Sequence, residues 1–289
     1  MAERIIIDTD PAIGVPMRDI DDGLAIALAL KSPEVEVAAL TITHGNVDLG
    51  RAFRSAKRLL AAIGRENVPV LRGAESKSDT RNGRESDASR FIAETVASAP
   101  GEVTIVALGP LSNLAAAELA SPGTLGNARR VICMGGAVRR AGNMPPFFRA
   151  EFNFWKDPHA AAVFVRSARD LTLVPYDLTA KVIFGSAEME RLRDAETEFA
   201  KWLYPRVRGW HSFMSALMMR GGFNPHDPLA MAYLMQPEWY ETETLGLSVA
   251  ESGIRAGESF IDPAGLPVRV AFDVDARRFL DFLIDRITR

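Results

Sequence analysis

Short apolar runs rich in β-branched residues alternate along the chain with longer segments whose apolar positions recur at helical spacing. RIIID, at residues 4–8, predicts a first strand, and DDGLAIALALKS, beginning at Asp21, a helix behind it. The pattern continues with strand-like VEVAALTIT, helical VDLGRAFRSAKRLLAAIG, strand-like VTIVAL and helical GPLSNLAAAELA. RRVICMGG, helix-like DPHAAAVFVRSA and LTLVPYD extend it. The later part is more helical, from AEMERLRDAETEFAKWLYPRVRGWHSFMSALMMR, with strand-like LGLSVA and PVRVAFDV before a closing helix, ARRFLDFLIDRI.

Strand–helix repeats whose strands are apolar throughout predict a parallel sheet covered on both faces. The expectation is one α/β domain spanning residues 1–289, with a mostly parallel (mixed) central sheet flanked by helices and a Rossmann-like core. Ligands of such sheets bind outside the carboxyl ends of the strands. No Pro/Ser/Gly-rich linker and no internal repeat divides the chain. The polar stretch RGAESKSDTRNGRESDAS reads as a long mobile loop over residues 73–90. Such a loop serves either as a lid over a site or as a plain surface excursion.

Composition narrows the partners. Hydrophobic residues make up 47% and charged residues 25% of the 289, a globular balance. A net charge of -3 provides no basic surface for nucleic acid. The single cysteine, Cys133, cannot form an intramolecular disulfide, which favours a reducing compartment. The opening run Ile5–Ile7 ends at Asp8, too soon for a signal peptide, and no run approaches the roughly 20 apolar residues of a membrane span. A soluble cytoplasmic protein without a membrane partner is expected.

The candidate chemistry lies in DTDPAIGVPMRDIDDG, where Asp8, Asp10, Asp21 and Asp22 follow the first strand. Alternation along a strand places Asp8 and Asp10 on the same side of the backbone. Asp21 and Asp22 fall at the start of the next helix, where Asp19 or Asp21 can serve as an ordinary N-cap. Capping accounts for one or two of these carboxylates. The pair at the end of a buried strand repel one another unless a cation compensates, and hard divalent cations take oxygen ligands of this kind. DxD followed by DD also occurs in Mg²⁺-dependent phosphohydrolases, in which Asp8 would be the nucleophile and Asp10 the acid.

The arrangement IIIDTDPAIG…DIDDGLAIALAL resembles the amino-terminal signature of the inosine-uridine preferring nucleoside hydrolase family, whose usual form is DxDPGxDDAxA. Five further stretches resemble that family's motifs in the same order. These are THGN, VALGPLSNLA (usually ATGPLTNLA), MGGAV followed by GN, AEFNFWKDPHAA (usually AEFNxxxDPEAA) and PHDPLAMA, which contains HDPLA. The resemblance implies a Ca²⁺-dependent enzyme that hydrolyses the N-glycosidic bond of ribonucleosides and assembles as a homodimer or homotetramer.

By position, Asp10, Asp22 and Asp227 correspond to the family's Ca²⁺-binding carboxylates, Leu108 to the residue that offers a backbone carbonyl, and Asp8 to a supporting carboxylate. Asp21 and Asn153 correspond to residues that hold the ribose 2′- and 3′-hydroxyls, and Asn143 and Glu151 to those near the 5′-hydroxyl. Asn46 corresponds to a residue beside the nucleophilic water and ribose. Each also has an ordinary reading: Asn46 and Asn143 as turn residues, Asp227 as a helix cap, His226 as a packed histidine.

Cleavage of an N-riboside passes through an oxocarbenium-like ribosyl cation. In the implied reaction Asp10 accepts the proton of the attacking water, late, once attack has made the water acidic, and surrounding carboxylates stabilise the cationic ring. His226 is the candidate for protonating the departing base near neutral pH. Trp210 and Phe213 either line a base pocket or belong to the core.

Three departures from the family pattern stand out. Residues 11–20 form a longer connection than usual, with Ala12 where glycine is common, so that Ala12–Ile20 reads as an insert. The 73–90 stretch lacks the family's histidine-containing segment. Pro145, Pro146, Phe147 and Phe148 lengthen the connection between Asn143 and Glu151. A non-catalytic or specialised riboside-binding protein therefore stands beside the hydrolase and the phosphohydrolase as a third reading.

Overall fold

The computed structural model describes residues 2–145, 149–219 and 221–289. β1 (Glu3–Thr9) is followed by α1 (Asp21–Leu30), β2 (Val35–Ile42), α2 (Leu49–Ile63), β3 (Val70–Arg72), α3 (Lys77–Arg81) and α4 (Asp87–Ser98). Next come β4 (Val103–Ala107), α5 (Ser112–Ala120), β5 (Arg130–Met134), α6 (Phe152–Lys156), α7 (Pro158–Ser167) and β6 (Leu171–Val174). Four helices then follow: α8 (Tyr176–Thr179), α9 (Ser186–Asp194), α10 (Glu198–Met218) and α11 (His226–Met235). β7 (Tyr240–Val249), β8 (Ser259–Ile261), β9 (Pro267–Val274) and α12 (Ala276–Thr288) close the chain.

The strands form one sheet in the order β3-β2-β1-β4-β5-β6-β9-β7-β8. Pairings from β3 through β9 are parallel, and β7 runs antiparallel to both β9 and β8. The fold is therefore mixed α/β with a mostly parallel sheet, as the alternating pattern predicts. Its first six strands carry the doubly wound order, in which the direction of winding reverses between β1 and β4. The crevice at that reversal opens at the carboxyl ends of these two strands, where Asp10 and Leu108 stand.

Period-two alternation divides the core. Ile5 and Ile7 pack on one face with residues of α1, α2, α11 and α12, including Leu24, Leu59, Leu229 and Phe279. Ile6 packs on the other face with Ile92, Leu114 and Phe164 from α4, α5 and α7. Burial of each such side chain stabilises by about 1.5–3 kcal/mol. Every residue of α1 is buried, because sheet, α2, α11 and α12 surround it. Its first-turn acids therefore point into protein rather than solvent.

Several sequence expectations need correction or sharpening. Residues 73–90 are not one long loop: they hold α3 and the first turn of α4, each opened by a serine capping box (Ser76 with Asp79, Ser86 with Ser89). Thr80 of α3 is buried and donates to Asp157 at 2.9 Å, tying this segment to α7. The long helical stretch after β6 is broken at residues 195–197, where Thr197 caps α10 by accepting from the Ala200 N–H. At the far edge, β7 begins at Tyr240, earlier than LGLSVA suggests, and β8 was not legible. Among the described residues no helix is long and apolar enough to cross a membrane.

Candidate active site

A cavity of about 280 Å³ opens at the winding reversal and gathers residues from the whole length of the chain. Asp10, Asp21, Asp22, Asn46, Leu108, Asn143, Glu151, Asn153, Trp210, His226 and Asp227 all border it. Among the described residues singled out in the sequence as candidates for the site, Asp8 and Phe213 lie off the cavity wall. Asp8 is the penultimate residue of β1 and Asp10 lies beyond the strand end, so strand alternation does not carry over to Asp10. The Asp8 carboxylate turns beneath the site, where Oδ1 accepts from Thr41 Oγ1 at 2.6 Å and from Asn113 Nδ2 at 2.8 Å. A fully buried Asp8 cannot present a nucleophilic oxygen to a substrate, which removes the basis of the phosphohydrolase reading.

The acids are held by backbone and hydroxyl donors. Asp22 Oδ1 accepts from the Asp10 N–H at 3.1 Å and from the Thr9 hydroxyl. Asp21 Oδ1 accepts from the Asp22 N–H and its Oδ2 from the Asp227 N–H, both at 3.1 Å. Asp10 Oδ2 accepts from the Asn46 N–H. Gly45 allows that approach: a Cβ at this position would lie 2.1 Å from Asp10 Oδ2. The amino termini of α1 and α11 converge here, and their exposed N–H groups favour negative charge. The helix cap itself differs from expectation. Ile20 occupies the N-cap position, and Asp19 Oδ1 accepts from the N–H groups of Ile20 (2.7 Å) and Asp21 (3.3 Å).

Burial and mutual repulsion raise the pKa values of this cluster. Burial, then the charge of Asp22, pushes Asp10 well above the usual carboxylate range. Burial, then Asp21, raises Asp22 to about 7. Asp21 is raised by burial and Asp19, and Asp227 by burial, Asp21 and Asp22. Carboxylates so placed stay ionised together only with a compensating cation. The donor set fits one: oxygens of Asp21, Asp22 and Asp227 lie within 4.8 Å of one another, with Asp10 and Leu108 on the same wall. All are oxygen donors, the chemistry of a hard divalent ion rather than a thiophilic metal.

The neutral groups line the remaining wall. Asn153 Nδ2 donates to the carbonyls of Leu108 (2.8 Å) and Met134 (3.2 Å), so the Leu108 oxygen faces the cavity side of the sheet. Glu151 caps α6: Oε1 accepts from Asn153 N–H at 2.9 Å, and Oε2 from Gly136 (3.0 Å) and Phe154 (3.3 Å). Burial raises Glu151 to about 7. Asn143 Oδ1 and Trp210 Nε1 are buried without a hydrogen-bond partner among the described residues. Trp210 borders the cavity with its ring tilted 34° to Phe213, whereas Phe213 faces the adjoining groove. Of the inserted residues 145–148, Pro146, Phe147 and Phe148 lie outside the described residues.

His226 departs from the sequence expectation in one respect. Burial and the neighbouring Arg140 charge lower its pKa to about 4, and Nδ1 lies 2.7 Å from Thr179 Oγ1. At neutral pH the ring is uncharged, so an ordinary near-neutral imidazolium is not available in the free protein. Met17, Arg18, Asp19 and Phe152 also border the cavity, and none of them was read in the sequence as a site residue. The first three belong to the Ala12–Ile20 insert, whose novelty against the family pattern was the signal that could have found them.

Comparison with known proteins agrees with this geometry. Residues 5–281 match the model of the family described as inosine-uridine preferring nucleoside hydrolase. A probable uridine nucleosidase 2 of Oryza sativa subsp. japonica is 31% identical over 324 aligned positions, covering 97% of this chain and 91% of the relative. A non-specific ribonucleoside hydrolase of Salmonella newport is 30% identical, covering 95% of each chain. Among solved structures, a plant nucleoside hydrolase superposes with TM-score 0.90 at 31% identity, covering 100% of this chain and 99% of that one. A purine-preferring ribonucleoside hydrolase from Gardnerella vaginalis gives TM-score 0.88 at 27% identity, covering 99% and 98%. Fold, cavity and relatives together define the class, a hydrolase of N-glycosidic bonds. The chain belongs to the inosine-uridine preferring nucleoside hydrolase family.

Proposed function

We propose that the cavity binds a ribonucleoside and hydrolyses its N-glycosidic bond, giving ribose and free base, with Asp10 as general base and Ca²⁺ as the resident ion. One observation supports this most strongly: Asp10, Asp21, Asp22, Asn153 and Asp227, drawn from remote parts of the chain, border a single cavity at the winding reversal. Asp10, Asp22, Asp227 and the Leu108 carbonyl would hold the ion, with Asp8 beneath as support. When bound, such an ion would supply a positive field that lowers the pKa of an attacking water.

The chain's own groups do the rest. Asp21 and Asn153 take the 2′- and 3′-hydroxyls. The unpartnered Asn143 Oδ1, together with Glu151, receives the 5′-hydroxyl. Asn46, whose side chain donates to the Asp19 carbonyl at 3.0 Å, lies beside the attacking water, and its N–H fixes the Asp10 carboxylate. Asp10 takes the water's proton as the C1′–O bond forms. The remaining carboxylates stabilise the positive charge that builds on the ribose ring. Trp210 borders the base, and His226 lies where it can hydrogen-bond the leaving group from the neutral ring.

The working form is the single domain of residues 1–289, a cytoplasmic homodimer or homotetramer. The test is ribose release from a panel of purine and pyrimidine ribonucleosides, with added Ca²⁺ and after chelation. Turnover that chelation removes and Ca²⁺ restores is expected. Riboside binding without release of ribose would select the non-catalytic reading instead.

A further inference from the structure

We propose that Arg18, carried by the Ala12–Ile20 insert, stabilises the negative charge that develops on the departing base, so that the insert contributes a catalytic residue to the leaving-group side of the cavity. The inference rests on the riboside-hydrolase reading above.

Charge balance motivates it. Bond cleavage leaves the C1′–N electron pair on the base nitrogen while the water oxygen bonds to C1′. The water's proton passes to Asp10 and finally reaches the base through solvent, so riboside and water become ribose and protonated base. The carboxylates that favour the cationic ribose ring disfavour an anionic base a few ångströms away. Among the described residues bordering the cavity, Arg18 is the one arginine or lysine.

Arg18 is exposed, and among the described residues its side chain makes no hydrogen bond or ion pair. The nearest acid in sequence, Asp19, spends Oδ1 on the N–H groups of Ile20 and Asp21. The insert itself is pinned. Asn46 Nδ2 donates to the Asp19 carbonyl at 3.0 Å, Ser55 Oγ to the Ile13 carbonyl at 3.3 Å, and the Val15 N–H to the Ala12 carbonyl at 2.8 Å. Met17, immediately before Arg18, adopts φ of 57°, which turns the chain at the cavity edge.

The side of the cavity is also defined. Met17, Arg18 and Trp210 border both the cavity and the adjoining groove formed with Pro205, Arg206 and Phe213. Asn143 and Glu151, the groups assigned to the 5′-hydroxyl, border the cavity alone. An aromatic ring, a thioether and a planar cation on one wall suit a flat heterocycle that gains negative charge. The guanidinium does not transfer a proton, because it does not deprotonate; it holds charge.

The experiment compares wild type, Arg18→Met and Arg18→Lys on a ribonucleoside that the wild type cleaves and on p-nitrophenyl β-D-ribofuranoside, whose leaving group is stable as an anion. Arg18→Met is expected to lower kcat on the nucleoside about 100-fold, the scale for removing one donor from a developing anion. Its kcat on the nitrophenyl riboside should stay within about threefold, since that transition state draws little on the cation. Arg18→Lys should restore part of the nucleoside rate. Equal losses on both substrates, or none, overturn the leaving-group role. So does a loss confined to KM for nucleoside 5′-monophosphates, which would make Arg18 a phosphate contact. Wild-type enzyme that releases neither base nor nitrophenolate overturns instead the hydrolase reading beneath the inference.

Discussion

Asn113, in the first turn of α5, ties the floor of the cavity to the sheet. Fully buried, it donates through Nδ2 to Asp8 Oδ1 at 2.8 Å and to the Ile42 carbonyl at 3.3 Å. Its Oδ1 accepts from the buried Ala74 N–H at 2.8 Å. Asn113→Ala removes all three contacts. The Ala74 amide loses its partner at a cost of about 1–3 kcal/mol, and the Asp8 carboxylate keeps only its Thr41 donor, worth a further 1.5–3 kcal/mol or so. Allowing for non-additivity, the loss should be about 3–5 kcal/mol, equivalent to a fall in Tm of roughly 5–8 °C for a chain of this size. Urea titration at neutral pH, followed by tryptophan fluorescence and repeated by calorimetry, measures it. A loss below about 1 kcal/mol would refute the reasoning, because two buried polar groups would then have found other partners.

Two further predictions concern charge and space. Burial pushes the Glu3 carboxyl upward, but hydrogen bonds from Arg130 and Thr104 and the Arg130 and Arg129 charges outweigh it, holding Glu3 below its ordinary value of 4.5. The stabilisation is therefore present above the unfolded carboxylate's pKa and disappears as pH falls through the lower folded value. Glu3→Gln should cost about 1–2 kcal/mol at pH 7, with the gap from wild type closing on acidification; a gap that widens in acid contradicts the ion pairing. Gly45→Ala places a methyl 2.1 Å from Asp10 Oδ2 and 2.8 Å from the Pro110 ring, so Asp10 must shift. Ribose release should fall at least about tenfold, since small misplacements of reacting groups are costly; an unchanged kcat would contradict the assigned position of Asp10.

How far the sequence carried the structure can be judged residue by residue. β1, β4 and β5 were legible because strands buried on both faces carry apolar runs, β2 because its β-branched run is apolar apart from the exposed Glu36 and the buried Thr41, and α2 because Asp48 and Gly64 mark its ends. α3 was missed because it is a five-residue helix of polar residues, held by its caps and by the Thr80–Asp157 bond rather than by an apolar stripe. Strand alternation did not carry from Asp8 to Asp10, since β1 ends at Thr9, so the expectation that both lie on the same side of the backbone had no basis there. The acids of the cavity were legible through their ordered motifs. Asn113 lies within one of those motifs, yet its contact with Asp8 joins residues 105 apart in sequence. The sequence likewise marked the insert as unusual without revealing that Arg18 and Asp19 border the cavity, because that depends on the Asn46 anchor.

The most direct test of the account is the rate of ribose release by Asp10→Asn beside wild type, at saturating Ca²⁺ and with folding verified by circular dichroism. Loss of a general base that also helps hold the ion should lower kcat by at least about 1,000-fold. Turnover by Asp10→Asn within about tenfold of wild type would contradict the central claim, since Asp10 could not then be the group that takes the water's proton.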